Sequence, residues 1–152
     1  MSWGLVGGRE AGHTAKQKEQ VAVAVEAVKR TRKVLVVDDE EAIRRVTAAL
    51  LELSGFEVLV ARNGREALEI ANDQAIDLVL TDVCMPAMSG LELGATLAER
   101  KPALPVVYMS GHMDRRDLAR GSQAGYFVQK PFSLVRLVES LNDALAGTRL
   151  AS

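Results

Sequence analysis

The chain has 152 residues, 48% hydrophobic and 26% charged, with a formal net charge of −1; this is the profile of one globular domain with a proper core, and it gives no electrostatic ground for nucleic-acid binding. A single cysteine, Cys84, excludes an internal disulfide and a cysteine-rich zinc site and suits a reducing, cytoplasmic setting. No apolar run approaches the roughly 18–20 residues needed to span a bilayer, and the glycine-rich start over Met1 to Gly12 lacks the apolar core of a secretory signal, so no membrane association is expected.

The first 32 residues stand apart. Residues 1–33 carry seven Lys or Arg against three Asp or Glu, whereas the rest of the chain is acidic, with twelve against seventeen. Met1–Thr14 is expected to be disordered. Gln17–Arg32 is either a frayed leader or a helix with Val21, Val25 and Val28 along one side, a weak stripe because valine is a poor helix former.

From Lys33 onward apolar runs alternate with helical patterns. Val34–Val37 is the first predicted strand. Ile43, Val46, Leu50 and Leu53 recur at helical spacing, and Ser54-Gly55 stops that helix. Glu57–Ala61 is the second strand; Asn63-Gly64 is a turn signal, and the helix after it points Ala67, Leu68 and Ala71 inward. Leu78–Thr81 is the third strand, followed by a helix opened by Ser89-Gly90, containing Leu91, Leu93 and Leu97 and closed before Pro102. Pro105–Met109 is the fourth strand, and a short polar helix, the fourth, covers about Arg115 to Gly121. Tyr126–Val128 is the fifth strand, and the last helix carries Leu134, Leu137, Val138, Leu141 and Leu145 on one face and ends at Gly147. The expected organisation is a leader over 1–32, a folded domain over 33–147 and a tail over 148–152.

Five strands alternating with five helices predict an α/β fold, a doubly wound five-stranded parallel sheet. The first and third strands are nearly continuous apolar runs, as expected when helices cover both faces. Right-handed crossovers leave few topologies. One common order for such sheets, 2-1-3-4-5, sets strands one and three side by side at the switch point, where ligands bind beyond the carboxyl ends of the strands.

Those ends carry the chemistry. The first strand runs into Asp38-Asp39-Glu40, the third into Asp82, the fourth into Ser110-Gly111 and the fifth into Lys130-Pro131. Three carboxylates in one pocket repel one another and raise each other's pKa, so such a cluster calls for a cation. Hard oxygen ligands favour Mg2+, which shares its shell with water and phosphate. One aspartate can then act as a nucleophile toward a phosphoryl donor, with positive charge from the metal and Lys130, and a hydrogen bond from Ser110, meeting the charge on the transferring group. Taken singly, Asp39 or Glu40 is also a fair cap for the first helix, and Asp82 a fair loop opener; four complementary strand ends in one chain are not explained that way.

The segment Val34–Ser140 resembles a receiver domain of bacterial two-component signalling. The resemblance rests on Val-Val-Asp38-Asp39-Glu40, Leu-Thr-Asp82-Val-Cys-Met-Pro86-Ala-Met-Ser-Gly90, Met-Ser110-Gly-His and Phe127-Val-Gln-Lys130-Pro131-Phe132. It is similar to receivers of hybrid histidine kinases and to single-domain response regulators, and it implies the flavodoxin-like receiver fold. Carried across by residue, the resemblance implies that Asp82 is the phosphoacceptor and also a metal ligand, that Asp39 binds Mg2+ directly with Asp38 acting through water, and that the backbone carbonyl of Cys84 is the third protein ligand. Ser110 is then the switch hydroxyl, Lys130 the partner of the phosphoryl group, and Phe127 the switch aromatic. The Lys130–Pro131 bond is expected to be cis. Two features depart from the commonest pattern: the switch residue is serine rather than threonine, and Phe127 lacks a phenol hydroxyl.

The implied function is a phosphorylation-dependent signalling switch, not an enzyme beyond its own phosphorylation and dephosphorylation. A histidine kinase or histidine phosphotransfer protein is the expected donor, and a change around the fourth helix and fifth strand carries the signal to a downstream protein. The chain ends five residues after Gly147, so no DNA-binding effector is expected on it. A Mg2+-dependent aspartate phosphohydrolase shares much of this chemistry, but such enzymes set a second carboxylate two positions after the nucleophile, and here Val83 and Cys84 follow Asp82. A phosphorylation-independent interaction module is opposed by the intact Asp38, Asp39, Asp82, Ser110 and Lys130 set. His112 and His13 are poor phosphodonor candidates, since such a histidine lies on a bundle helix. Met85 and Met88 are expected to pack the loop, and Arg115, Arg116 and Arg120 to form a solvated face.

Overall fold

The structure, a computed structural model, describes residues 14–19, 30–111 and 126–151. It divides into two units, Met1–Thr31 and Arg32–Ser152. In the first, a helical stretch begins at residue 15 rather than at Gln17. Thr14 and Gln17 explain the earlier start: the Gln17 N–H donates to Thr14 Oγ1 at 3.1 Å and the Thr14 N–H to Gln17 Oε1 at 3.0 Å, a reciprocal capping box. The remaining leader positions expected to be helical, with Val21, Val25 and Val28, the expected helix over 115–121 with Arg115, Arg116 and Arg120, and both His13 and His112 lie outside the described residues.

The second unit is a five-stranded parallel sheet of order β2-β1-β3-β4-β5. Its strands are β1 (Lys33–Val37), β2 (Glu57–Ala61), β3 (Leu78–Asp82), β4 (Val106–Ser110) and β5 (Tyr126–Gln129). The described helices are α1 (Glu41–Leu53), α2 (Gly64–Asp73), α3 (Gly90–Arg100) and α4 (Leu134–Ala151). Side chains alternate across the sheet. Val34, Val36, Leu78, Leu80, Val107, Met109 and Val128 form one core with Leu51 of α1 and Leu137, Leu141 and Ala144 of α4. Leu35, Val37 and Val79 form the other with Ala67 and Ala71 of α2 and Leu93 and Leu97 of α3. Strand β3 is buried along its whole length, as the centre of a sheet covered on both faces must be.

Two helices differ from the sequence expectation. In α1 the buried residues are Thr47, Ala48 and Leu51, while Val46 and Leu53 are 59% and 83% exposed. Two stripes in this helix have helical spacing, and the sheet takes the one with small residues at 47 and 48, which lets the helix approach closely. The last helix passes through Gly147 to Ala151, so residues expected to be a tail continue it. Gly147 is a close-approach position rather than a stop: a Cβ there would collide with the Tyr126 hydroxyl. Asn63 and Ser89 cap α2 and α3 by accepting from the N–H groups of Glu66 and Glu92. Among the described residues, no helix is long and apolar enough to cross a membrane.

Candidate functional site

Parallel register decides what meets at the carboxyl edge. Val37 of β1 pairs with Thr81 of β3, so the next residues, Asp38 and Asp82, leave the sheet as neighbours. Asp82 pairs with Met109, and Ser110 with Gln129, which brings the end of β5 and Lys130 to the same edge. Asp38, Asp39 and Asp82 each offer a carboxylate oxygen, and these atoms lie within 4.8 Å of one another. Asp38 and Asp82 are buried, whereas Asp39 is exposed.

The capping alternative for the first acidic pair fails. Glu40 is the N-cap of α1, and its side chain makes no capping hydrogen bond. Asp38 Oδ1 instead accepts from the Glu40 N–H at 3.0 Å, which turns its carboxylate back over the strand end. Lys130 Nζ stands 3.4 Å from Asp38 Oδ2 and 3.5 Å from Asp82 Oδ2, bridging the two buried carboxylates. The Lys130–Pro131 peptide is cis, and the Lys130 N–H donates to the Ser110 carbonyl at 2.8 Å. Among the described residues Ser110 Oγ is buried with no hydrogen-bond partner, an arrangement that natural cores rarely leave without a purpose.

The loop after β3 is held tightly against the strands. The Val83 N–H donates to Met109 O at 3.0 Å and the Gly90 N–H to Val83 O at 2.8 Å. The Met88 N–H reaches Pro86 O at 2.7 Å across Ala87, whose φ of 67° lies in the left-handed region. Met85 and Met88 pack against the second core, as loop packing predicts. Cys84 is exposed, and its N–H approaches Asp82 Oδ1 at 3.4 Å. Burial pushes the Asp82 carboxyl above its ordinary value; Lys130 opposes the rise and Asp38 adds to it.

Phe127 is half-buried and stacks on Tyr108, with ring centroids 5.0 Å apart and planes at 24°. Tyr108 stands two residues before Ser110 on the same face of β4, and its hydroxyl lies against Gly94 of α3, where a Cβ would collide with it. Sequence reasoning gave Tyr108 no role of its own and did not single out Gly94. Alternation along β4 puts Tyr108 on the Ser110 face, but only the fold pairs it with Phe127.

This arrangement suits a hard divalent cation beside a phosphoryl group. Three oxygen donors converge, an ammonium group faces two of them, and a buried hydroxyl at the next strand end lacks a partner. The comparisons with known proteins agree with the geometry. Residues 34–142 match the family model described as the response regulator receiver domain. The chain belongs to the response regulator receiver family.

Receiver domains of two-component response regulators are phosphoryl-accepting signalling switches that bind Mg2+ at an acidic pocket and interact with histidine kinases or phosphotransfer proteins. This receiver is 32% identical over 119 residues to the polar-differentiation response regulator DivK of Brucella ovis, covering 76% of this chain and 97% of DivK. It is 31% identical over 113 residues to the transcriptional regulatory protein GlrR of Escherichia coli, covering 73% of this chain but only 26% of GlrR. The chain thus spans about a quarter of the length of that larger regulator. A solved response regulator receiver domain protein from Clostridium thermocellum superposes with a TM-score of 0.72 at 34% identity, covering 80% of this chain and 99% of that one.

Proposed function

We propose that residues 33–147 form a phosphorylation-dependent switch in which Asp82 accepts a phosphoryl group from a phosphohistidine donor. The observation that carries this reading is the convergence of Asp38, Asp39 and Asp82 within 4.8 Å, with Lys130 Nζ 3.5 Å from Asp82. In the transfer, an Asp82 carboxylate oxygen forms a bond to phosphorus as the phosphorus–nitrogen bond to the donor imidazole breaks, and the imidazole leaves with the bonding pair. Lys130 faces the oxygens on which charge gathers. The Ser110 hydroxyl, buried and unpartnered, donates to one of them. Asp39, Asp82 and the Cys84 carbonyl, with Asp38 assisting through water, would hold Mg2+, whose chemistry is to neutralise charge on the phosphoryl oxygens. The donor set fits: every protein donor is a hard oxygen, and one comes from an exposed carboxylate open to solvent.

Phosphorylation then draws Ser110 toward the new anion. Phe127, stacked on Tyr108 two residues upstream of Ser110, repacks in response, and the surface of β5 and the segment 115–121 changes for a downstream protein partner. In population terms the phosphoryl group biases an existing two-state equilibrium. The site drives its own phosphorylation and dephosphorylation and turns over no other substrate. Incubation with phosphorylated histidine kinases and phosphotransfer proteins tests this. The reading predicts a stoichiometric, acid-stable and base-labile phosphoprotein that decays slowly; rapid multiple turnover of small phosphomonoesters would instead make the chain a phosphohydrolase.

A further inference from the structure

Each polar group of Asp38 is engaged. Its N–H donates to the Ala61 carbonyl at 3.2 Å, Oδ1 accepts from the Glu40 N–H at 3.0 Å, and Oδ2 faces Lys130 Nζ at 3.4 Å. Its carbonyl oxygen accepts from Arg44 Nη1 at 2.9 Å. Asp39 is the contrast: it is exposed, and its side chain makes no hydrogen bond or ion pair among the described residues.

The Asp38 carbonyl belongs to the same planar peptide group as the Asp39 nitrogen. A change in ψ of Asp38 moves that carbonyl oxygen and the Asp39 Cα together, and so carries the Asp39 side chain toward or away from its neighbours. The Arg44 hydrogen bond therefore restrains the direction of a carboxylate that Arg44 does not touch. Arg44 is well placed for this. Its N–H donates to Glu40 O at 2.9 Å, so the first turn of α1 fixes its backbone, and helical side chains lean toward the N-terminus, back over the turn. The guanidinium is planar, always charged and half-buried here, which favours a defined charge-assisted bond over a wandering one.

We propose that Arg44 is a positioning residue of the metal site: by gripping the Asp38–Asp39 peptide it holds Asp39 toward Asp38 and Asp82. The inference rests on the Mg2+-binding reading above and extends it to a residue outside the donor set. Partners of metal ligands in other sites change affinity by about 10–100-fold when removed.

Two roles for Arg44 predict opposite signs. If Arg44 acted only as a charge, its removal would tighten cation binding, because it is a cation beside three carboxylates. If it positions Asp39, its removal weakens binding. The test is calorimetric titration of the full-length protein with Mg2+ alone, alongside thermal melting in chelator to establish that each variant is folded. Arg44→Ala is expected to bind Mg2+ about tenfold more weakly than wild type, and Arg44→Lys and Arg44→Gln, which keep a donor, to fall between. Should Arg44→Ala fail to fold, the Lys and Gln variants decide: weaker binding than wild type supports the positioning role. Wild-type binding with equal or tighter binding in the folded variants overturns this inference alone. Failure of the wild type to bind Mg2+ overturns the metal reading and this inference with it.

Discussion

Gly90 lies against the main-chain carbonyl of Asp82 so closely that a β-carbon at position 90 would overlap that oxygen. Gly90 is the first residue of α3, and the contact sets how tightly the loop after β3 folds back beneath the acidic site. The obstructing atoms are backbone and cannot step aside as a flexible side chain can. Gly90→Ala is expected to destabilise the domain by about 1–3 kcal/mol, as overpacking does. Urea denaturation checks this, and a change within about 0.5 kcal/mol, typical of a neutral surface substitution, would contradict it.

The raised Asp82 carboxyl predicts a pH dependence with a definite sign. Burial is the main cause, and the ordinary value is 3.8. A carboxyl with a higher pKa in the folded than in the unfolded state holds its proton better when folded. Metal-free stability therefore falls as pH rises from the ordinary value through the raised one, and the loss is complete above it. Asp82→Asn escapes this loss. In chelator at neutral pH it is expected to melt above wild type, with the gap closing below the ordinary carboxyl value. A lower melting temperature for the variant at neutral pH would contradict the account.

The two faces of α1 are separable by mutation. Leu51 is fully buried in the first core, and Leu51→Ala is expected to cost about 2–5 kcal/mol. Leu53, two positions on, is 83% exposed, and Leu53→Ser is expected to stay within about 0.5 kcal/mol of wild type. Chemical denaturation of both variants tests the assignment; a large loss from Leu53→Ser would reverse it.

This helix also shows where sequence patterns lose their hold. Ile43, Val46, Leu50 and Leu53 have helical spacing, but so do the positions around Thr47 and Leu51; Ile43 and Leu50 are half-buried, whereas Val46 and Leu53 face solvent, so hydrophobicity alone sets the centre of the buried face off by part of a turn. The strands were easier. Leu78 to Leu80 is apolar throughout because β3 is covered on both faces, and abrupt endings at Asp38, Asp82 and Lys130 mark the edge where the site forms. What one sequence hides are contacts between distant segments. The Tyr108 hydroxyl against Gly94 and the Tyr126 hydroxyl against Gly147 become visible only once the chain is folded, and the short-range contacts of Arg44 with the Asp38 carbonyl and of Gly90 with Asp82 depend on loop geometry that no periodicity reports.

Gly147 offers a prediction that changes sign. Alanine is favoured over glycine within a helix by about 1 kcal/mol, yet a Cβ at 147 would collide with the Tyr126 hydroxyl. Gly147→Ala is therefore expected to destabilise the wild type. In a Tyr126→Phe background the first obstructing atom is gone, and the same substitution becomes neutral or stabilising. A double-mutant cycle by thermal melting measures the coupling. Equal effects in the two backgrounds would show that the hydroxyl is not the obstacle.

The central claim is that Asp82 is the residue phosphorylated. The most direct measurement is the intact mass of the protein after incubation with acetyl phosphate and Mg2+, for wild type and Asp82→Ala in parallel. The account predicts the addition of one phosphoryl group to the wild type, its absence when Mg2+ is chelated, and no addition to Asp82→Ala. Labelling of Asp82→Ala to the wild-type level would contradict it.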